Sequence, residues 1–241
     1  WMQWNYHKAL ATAAVMDAYK RSGLKRRECK FGSIINVEMA YPRSDSAGDQ
    51  QAADMYDLFY NRVFLDPALK GEYEDGFFER LETHGIFVDR TADDLRLIKE
   101  NVLDWVGINL YHPNRVKERT HAVKEGAPFH PDFYYEEFNM PGKRMNPFRG
   151  WEIWPKIIYD FGMRMKNEYG NKEWFVAESG MGVQNLAVLE AVLRLLKLVQ
   201  VEEMGGEARP AGGLPDPVLV GFREEFLIDA DIAIHKQSDS F

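Results

Sequence analysis

The chain has 241 residues, 45% of them hydrophobic, which is enough for one sizeable core at the upper end of ordinary domain length. Its formal net charge of -8 speaks against nucleic acid or an anionic membrane surface as partner, because both are polyanions that reward a basic footprint. A single cysteine, Cys29, no Asn-x-Ser/Thr acceptor and no apolar run of spanning length lead us to expect a cytoplasmic location and no membrane.

The opening Trp-Met-Gln-Trp-Asn-Tyr-His lacks the basic-then-apolar design of a signal peptide and reads as cut rather than initiated. Residues 6–19 are strong helix formers, and the basic cluster at 20–30 follows where a helix C-terminus favours positive charge. Residues 31–42 are β-rich and close on Pro42 and the turn-forming Arg-Ser-Asp-Ser-Ala-Gly, which predicts one strand. Apolar and aromatic residues at helical spacing predict a helix over 50–60, with Asp45 and Ser46 as nearby caps. A connecting segment at 64–71, a short helix at 77–85 and a helix at 92–101 lead into Trp105-Val-Gly-Ile-Asn-Leu-Tyr111, the second predicted strand. Between 112 and 149 periodicity is lost and Pro, His and aromatics accumulate, as in functional or mobile loops. A helix over 151–169 and a third strand over 173–179 follow, the latter ending in a Gly-rich turn. Beyond it we expect an amphipathic helix at 186–200, a Gly/Pro linker at 205–217 and a short last strand at 218–222.

Strands alternating with helices point to an α/β protein with a parallel sheet, either doubly wound or a (β/α)8 barrel, although three or four strands are too few to close one. In barrels the reactive groups sit at the C-terminal ends of strands, which singles out Tyr41, Asn109, Tyr111 and Glu178. Taken alone, Glu178 reads first as a salt-bridged carboxylate at a strand end. Tyr111 equally suits packing at such an end, and Asn109 a bond to local backbone. The six histidines show no metal-ligand spacing and no Gly-rich phosphate loop is present, so no metal and no cofactor are expected. Aromatics such as Phe129, Phe133, Tyr134, Tyr135 and Phe138 suit either sugar stacking or packing beneath a long loop, the commoner fate.

Several separated stretches match one family in one order. Trp174-Phe-Val-Ala-Glu-Ser-Gly-Met-Gly-Val183 resembles the Ile-Thr-Glu-Asn-Gly nucleophile motif of family 1 glycoside hydrolases, with Ser179 where Asn is commoner. Trp105-Val-Gly-Ile-Asn-Leu-Tyr111 is similar to that family's Phe-Ile-Gly-Ile-Asn-Tyr-Tyr, and Gly150-Trp-Glu-Ile-Trp-Pro155 to its Gly-Trp-Glu-Ile-x-Pro. Phe64-Leu-Asp-Pro-Ala-Leu-Lys-Gly71, Ser44-Asp-Ser and the opening helix at 3–13 also fit. Arg144-Met-Asn-Pro-Phe-Arg-Gly-Trp151 and Ile158-Tyr-Asp-Phe-Gly-Met163 most resemble the bacterial 6-phospho-β-glucosidase and 6-phospho-β-galactosidase branch.

The resemblance implies a partial (β/α)8 barrel over residues 1–183, roughly the last four β/α units, with a divergent segment at 184–241. It also implies retaining β-glycoside hydrolysis by double displacement, in which two carboxyl groups about 5–5.5 Å apart attack the sugar and protonate the departing oxygen. In that scheme Glu178 is the nucleophile, Tyr111 donates to it, and Asn109 lines the substrate pocket. The substrate would be a small-molecule β-glycoside or its 6-phosphorylated disaccharide counterpart. The family's acid/base motif Thr-Phe-Asn-Glu-Pro does not occur, and the chain reads as starting just downstream of it. A catalytically inactive fragment serving as a glycan-binding or assembly module is therefore the alternative. Self-association as a homo-oligomer stays open.

Overall fold

The computed structural model describes residues 1–24 and 29–180. Helix α1 spans Met2–Arg21 and ends on Lys20 and Arg21, whose charge suits the carbonyl end of a helix. Met2, Tyr6, Ala13 and Met16 are buried, and the helix packs on α5 (Ala92–Glu100) and α3 (Val63–Leu69).

The single strand expected at 31–42 is two strands. β1 spans Gly32–Asn36, β2 spans Ala40–Pro42, and they belong to different sheets. Asn61 is the physical cause: fully buried, it accepts from the Glu38 N–H at 2.7 Å and donates to the Glu38 carbonyl at 2.9 Å, taking both backbone groups out of any ladder. A long helical run follows: α2 (Ala47–Asp57), a π turn at Leu58–Arg62, and α3. Ser46 caps it by accepting from the Asp49 N–H. The connecting segment expected at 64–71 is thus largely helix: Leu65 and Leu69 lie one turn apart in the core, and their burial outweighs the donor missing at Pro67. Helix α4 spans Phe77–Glu82, and α5 opens on a capping box between Thr91 and Asp94.

After α5 comes β3 (Trp105–Asn109). The stretch expected to be irregular at 112–149 holds β4 (Asn114–Glu118) and β5 (Tyr135–Glu137). β4 offers only Val116 to the interior, too little apolar alternation to betray a strand. Helix α6 spans Lys156–Glu168 rather than starting at 151, since Pro155 disfavours helical backbone at Trp154 and Glu152 is engaged in a bridge with Met145. β6 (Glu173–Glu178) is the last described strand. The helix, linker and strand expected beyond residue 185 lie outside the described residues.

Among the described residues the strands form two three-stranded sheets. One has order β1-β3-β6 and is parallel throughout, the arrangement expected of an α/β protein; the other, β2-β4-β5, pairs β2 with β4 parallel and β4 with β5 antiparallel. Val106, Ile108 and Leu110 of the first sheet bury one face against Ile157, Phe161 and Met165 of α6, Leu65 and Leu69 of α3 and Met16 of α1. The opposite face carries Gly32, Ile34, Trp105, Gly107 and Phe175, and Ile34 is 56% exposed there.

Candidate active site

The C-terminal ends of the three parallel strands lie side by side, Asn36 of β1 opposite Asn109 of β3 and Asn109 opposite Glu178 of β6. Strict alternation would give Asn109 a different neighbour. Ile108 pairs with Val176, so a regular ladder would bring Ala177 beside Asn109; the register shifts there and delivers Glu178. A one-residue offset transfers a side chain to the other face of a sheet. It takes the Glu178 carboxylate away from the face of Trp174 and Val176, which packs on the core, and exposes it at the rim. The Leu110 N–H closes the ladder on the Glu178 carbonyl at 2.9 Å.

Tyr111, two residues past Asn109, donates its hydroxyl to Glu178 Oε2. A hydrogen bond to a carboxylate is directional, so this contact orients the Glu178 side chain at the rim. Asn109 donates its amide to Asn36 Oδ1 at 2.8 Å, and its own Oδ1 is buried without a hydrogen-bond partner among the described residues. The Trp151 ring lies 5.3 Å from Tyr111 and 4.9 Å from His112, with the Arg149 guanidinium 5.3 Å from its centre.

Glu178, Tyr111 and Asn109 are therefore brought together. Tyr41 is not: it sits in β2, and its hydroxyl donates to Asp160 of α6 at 2.7 Å. Burial, reinforced by Asp160, pushes that phenol well above its ordinary pKa. The strand end that belongs to the rim is Asn36, which the merged strand at 31–42 concealed. Trp151 is a second residue missed, visible only as part of the Gly-Trp-Glu-Ile stretch. Among the described residues no three His, Cys, Asp or Glu side chains are grouped to hold a metal ion, and no helix is long and apolar enough to cross a membrane.

A parallel sheet presenting one carboxylate at its C-terminal rim, with a tyrosine donor, suits the family suggested by the motifs, and the model described as glycosyl hydrolase family 1 matches residues 2–194. The chain belongs to glycosyl hydrolase family 1. The 6-phospho-β-glucosidase GmuD of Bacillus subtilis is 42% identical over 183 residues, covering 76% of this chain and 39% of that protein. A 6-phospho-β-galactosidase of Lacticaseibacillus casei is 25% identical over 250 residues, covering 97% of this chain and 48% of its own length. Virulence factor SghA of Agrobacterium tumefaciens superposes with a TM-score of 0.62 at 25% identity, over 83% of this chain and 44% of SghA. The chain thus spans between about two fifths and a half of the length of these proteins.

Proposed function

We propose that this chain is the nucleophile-bearing part of a retaining β-glycosidase built on a (β/α)8 barrel, of which it supplies roughly the last four β/α units. The observation that carries the reading is the Tyr111 hydroxyl on Glu178 at the rim of a parallel sheet in a family 1 chain. Glu178 attacks the anomeric carbon and forms a glycosyl ester as the bond to the aglycone oxygen breaks, Tyr111 aims the carboxylate, and Asn109 lines the pocket beside it. The substrate is a small-molecule β-glycoside, and relatives named 6-phospho-β-glucosidase and 6-phospho-β-galactosidase support a 6-phosphorylated one.

Asn-Glu-Pro is absent from all 241 residues, so in this reading protonation of the leaving group is not supplied by that motif. Its loss alone is worth roughly 10²- to 10⁴-fold in rate. The test therefore uses a leaving group that needs no acid: a 2,4-dinitrophenyl 2-deoxy-2-fluoro-β-glycoside, in free and 6-phosphorylated forms. Peptide mass spectrometry should find the fluorosugar on Glu178 and none in Glu178→Gln. Labelling at another carboxylate would overturn the assignment. Glycoside binding without labelling would favour the second reading, an inactive glycan-binding or assembly module, which the missing Asn-Glu-Pro motif supports.

A further inference from the structure

Trp151 reaches Tyr111 from a hairpin that belongs to neither sheet. Met145 bridges Glu152, the Asn146 N–H donates to the Trp151 carbonyl at 2.7 Å, and the Ile153 N–H donates to the Arg144 carbonyl at 2.7 Å. Besides the ring contacts of Trp151 with Tyr111 and His112, Arg115 of β4 ties this hairpin to the body. Its guanidinium donates from Nε to Glu152 Oε2 at 3.0 Å and from Nη2 to Oε1 at 2.6 Å, a two-pronged bond between side chains only 10% and 5% exposed. The same guanidinium lies 4.9 Å from the Tyr41 ring and 4.7 Å from the Trp154 ring. Those two rings meet edge to face at 6.3 Å and 77°. A buried fork with both carboxylate oxygens engaged, between two aromatic rings, allows the hairpin little rotation.

We propose that Arg115 is a positioning residue for the rim carboxylate: by fixing Glu152 it sets Trp151 against Tyr111, and through the Tyr111 hydroxyl it aims Glu178. This deepens, and rests on, the reading of Glu178 as nucleophile, while the part that ends at Tyr111 stands apart from it. Arg115 acts here through Glu152 and Trp151. Its influence runs from the second sheet to the first through one hairpin, and a displacement of about 1 Å at a reacting group can lower a rate about 100-fold.

The test labels the six tryptophans with 5-fluorotryptophan and follows fluorine resonances of the whole chain. Trp151→Phe assigns the Trp151 signal, and Trp174, packed 5.2 Å from Phe161 in the core, reports on folding. Tyr111→Phe should move the Trp151 signal. Arg115→Met should shift and broaden it while the Trp174 signal holds, and Arg115→Lys, which keeps the charge but loses the fork, should do so to a smaller degree. If Arg115→Met does not fold, Arg115→Lys decides. A Trp151 signal unaltered in Arg115→Lys and in any folded Arg115→Met, or untouched by Tyr111→Phe, overturns the proposal.

The second readout is the fluoroglycoside reaction. In Arg115→Lys the maximal labelling rate of Glu178 should fall about tenfold with the inactivator's dissociation constant unchanged, as expected of a misaimed group in an intact pocket. A loss of affinity alone would overturn the positioning role. If the native chain is not labelled at all, the nucleophile reading fails, and the fluorine signals by themselves still confirm or overturn the Arg115–Glu152–Trp151–Tyr111 link.

Discussion

Replacing Arg164 by Met should be among the most damaging single changes that leave the rim untouched. Arg164 projects from α6, only 7% exposed, and grips both carboxylate oxygens of Asp57 at the end of α2, with Nη2 to Oδ2 at 2.7 Å. It also reaches Glu168 at 3.2 Å and the Tyr169 hydroxyl at 3.4 Å, and that hydroxyl donates to Asp66 at 2.9 Å. Burial opposes the guanidinium charge, yet Asp57 first, then Tyr169 and Glu168, outweigh it and hold its pKa above the ordinary arginine value. Breaking a buried pair by removing one partner costs about 3–5 kcal/mol, mostly for the charge left behind. The lower end applies to Arg164→Met, because Asp57 keeps Arg62 at 3.1 Å and the Asn61 amide at 2.7 Å, and methionine preserves volume. At about 2–4 °C per kcal/mol for a chain of this size, the melting midpoint should fall by about 6–12 °C. Asp57→Asn should cost more, since it strands a deeper charge, whereas Arg164→Met with Asp57→Leu should regain most of the loss. Urea unfolding followed by circular dichroism measures all three. A single-variant cost under about 1 kcal/mol, or a double variant as poor as the two singles summed, refutes the reasoning.

Thr91→Ala removes the cap of α5, where the Thr91 side chain accepts from the Asp94 N–H at 3.1 Å and the Asp94 side chain answers; urea titration should show a loss of about 1 kcal/mol. Gly71 has φ +81°, and a Cβ there would meet the Lys99 backbone at 2.8 Å, so Gly71→Ala should cost at least about 2 kcal/mol by the same measurement. Asp49 is held down at about 2 by the Ser44 hydroxyl, then by the Glu118 N–H and Arg43, against the opposing effect of burial. Because the folded value lies below the unfolded one of about 3.9, its contribution is complete above about pH 4 and is lost as pH falls toward 2. Asp49→Asn should therefore flatten the fall in urea midpoint over that window, though only in part, since Glu136 is also depressed by the His121 N–H and Lys117. Identical pH slopes for the two proteins would contradict it.

Asn109, Tyr111 and Glu178, though neither Asn36 nor Trp151, stood out because they lie at strand ends, and the parallel order of the first sheet was legible because its strands are short apolar runs separated by helices. Three features were not. The break at Val37–Met39 depends on Asn61, more than twenty residues away, whose side chain replaces a ladder partner for Glu38. β4 and β5 owe their existence to pairing with β2 and with each other, and their own residues carry almost no alternation. The Arg115–Glu152 and Arg164–Asp57 pairs join residues 37 and 107 positions apart. Nothing local distinguishes such charges from those of a solvated surface.

The offset at Ala177 shows how the alternation rule can misjudge the side on which a strand-end residue lies. On a strict two-residue period, Trp174, Val176 and Glu178 share the face that packs on α6, where an unpaired carboxylate would be costly. A reader trusting the period would expect either a buried ion pair or a mispacked strand. The extra residue resolves the conflict at the one place where the ladder is ending and the backbone has least to lose. It lets an apolar strand serve the core through Val176 and the rim through Glu178 without a polar side chain crossing the sheet. The same device brings Glu178 beside Asn109, within reach of the Tyr111 hydroxyl. Presentation of the carboxylate is thus a property of the pairing between β3 and β6, and any change that restored a regular ladder while keeping Ala177 in place would bury Glu178 without altering a single residue of the motif.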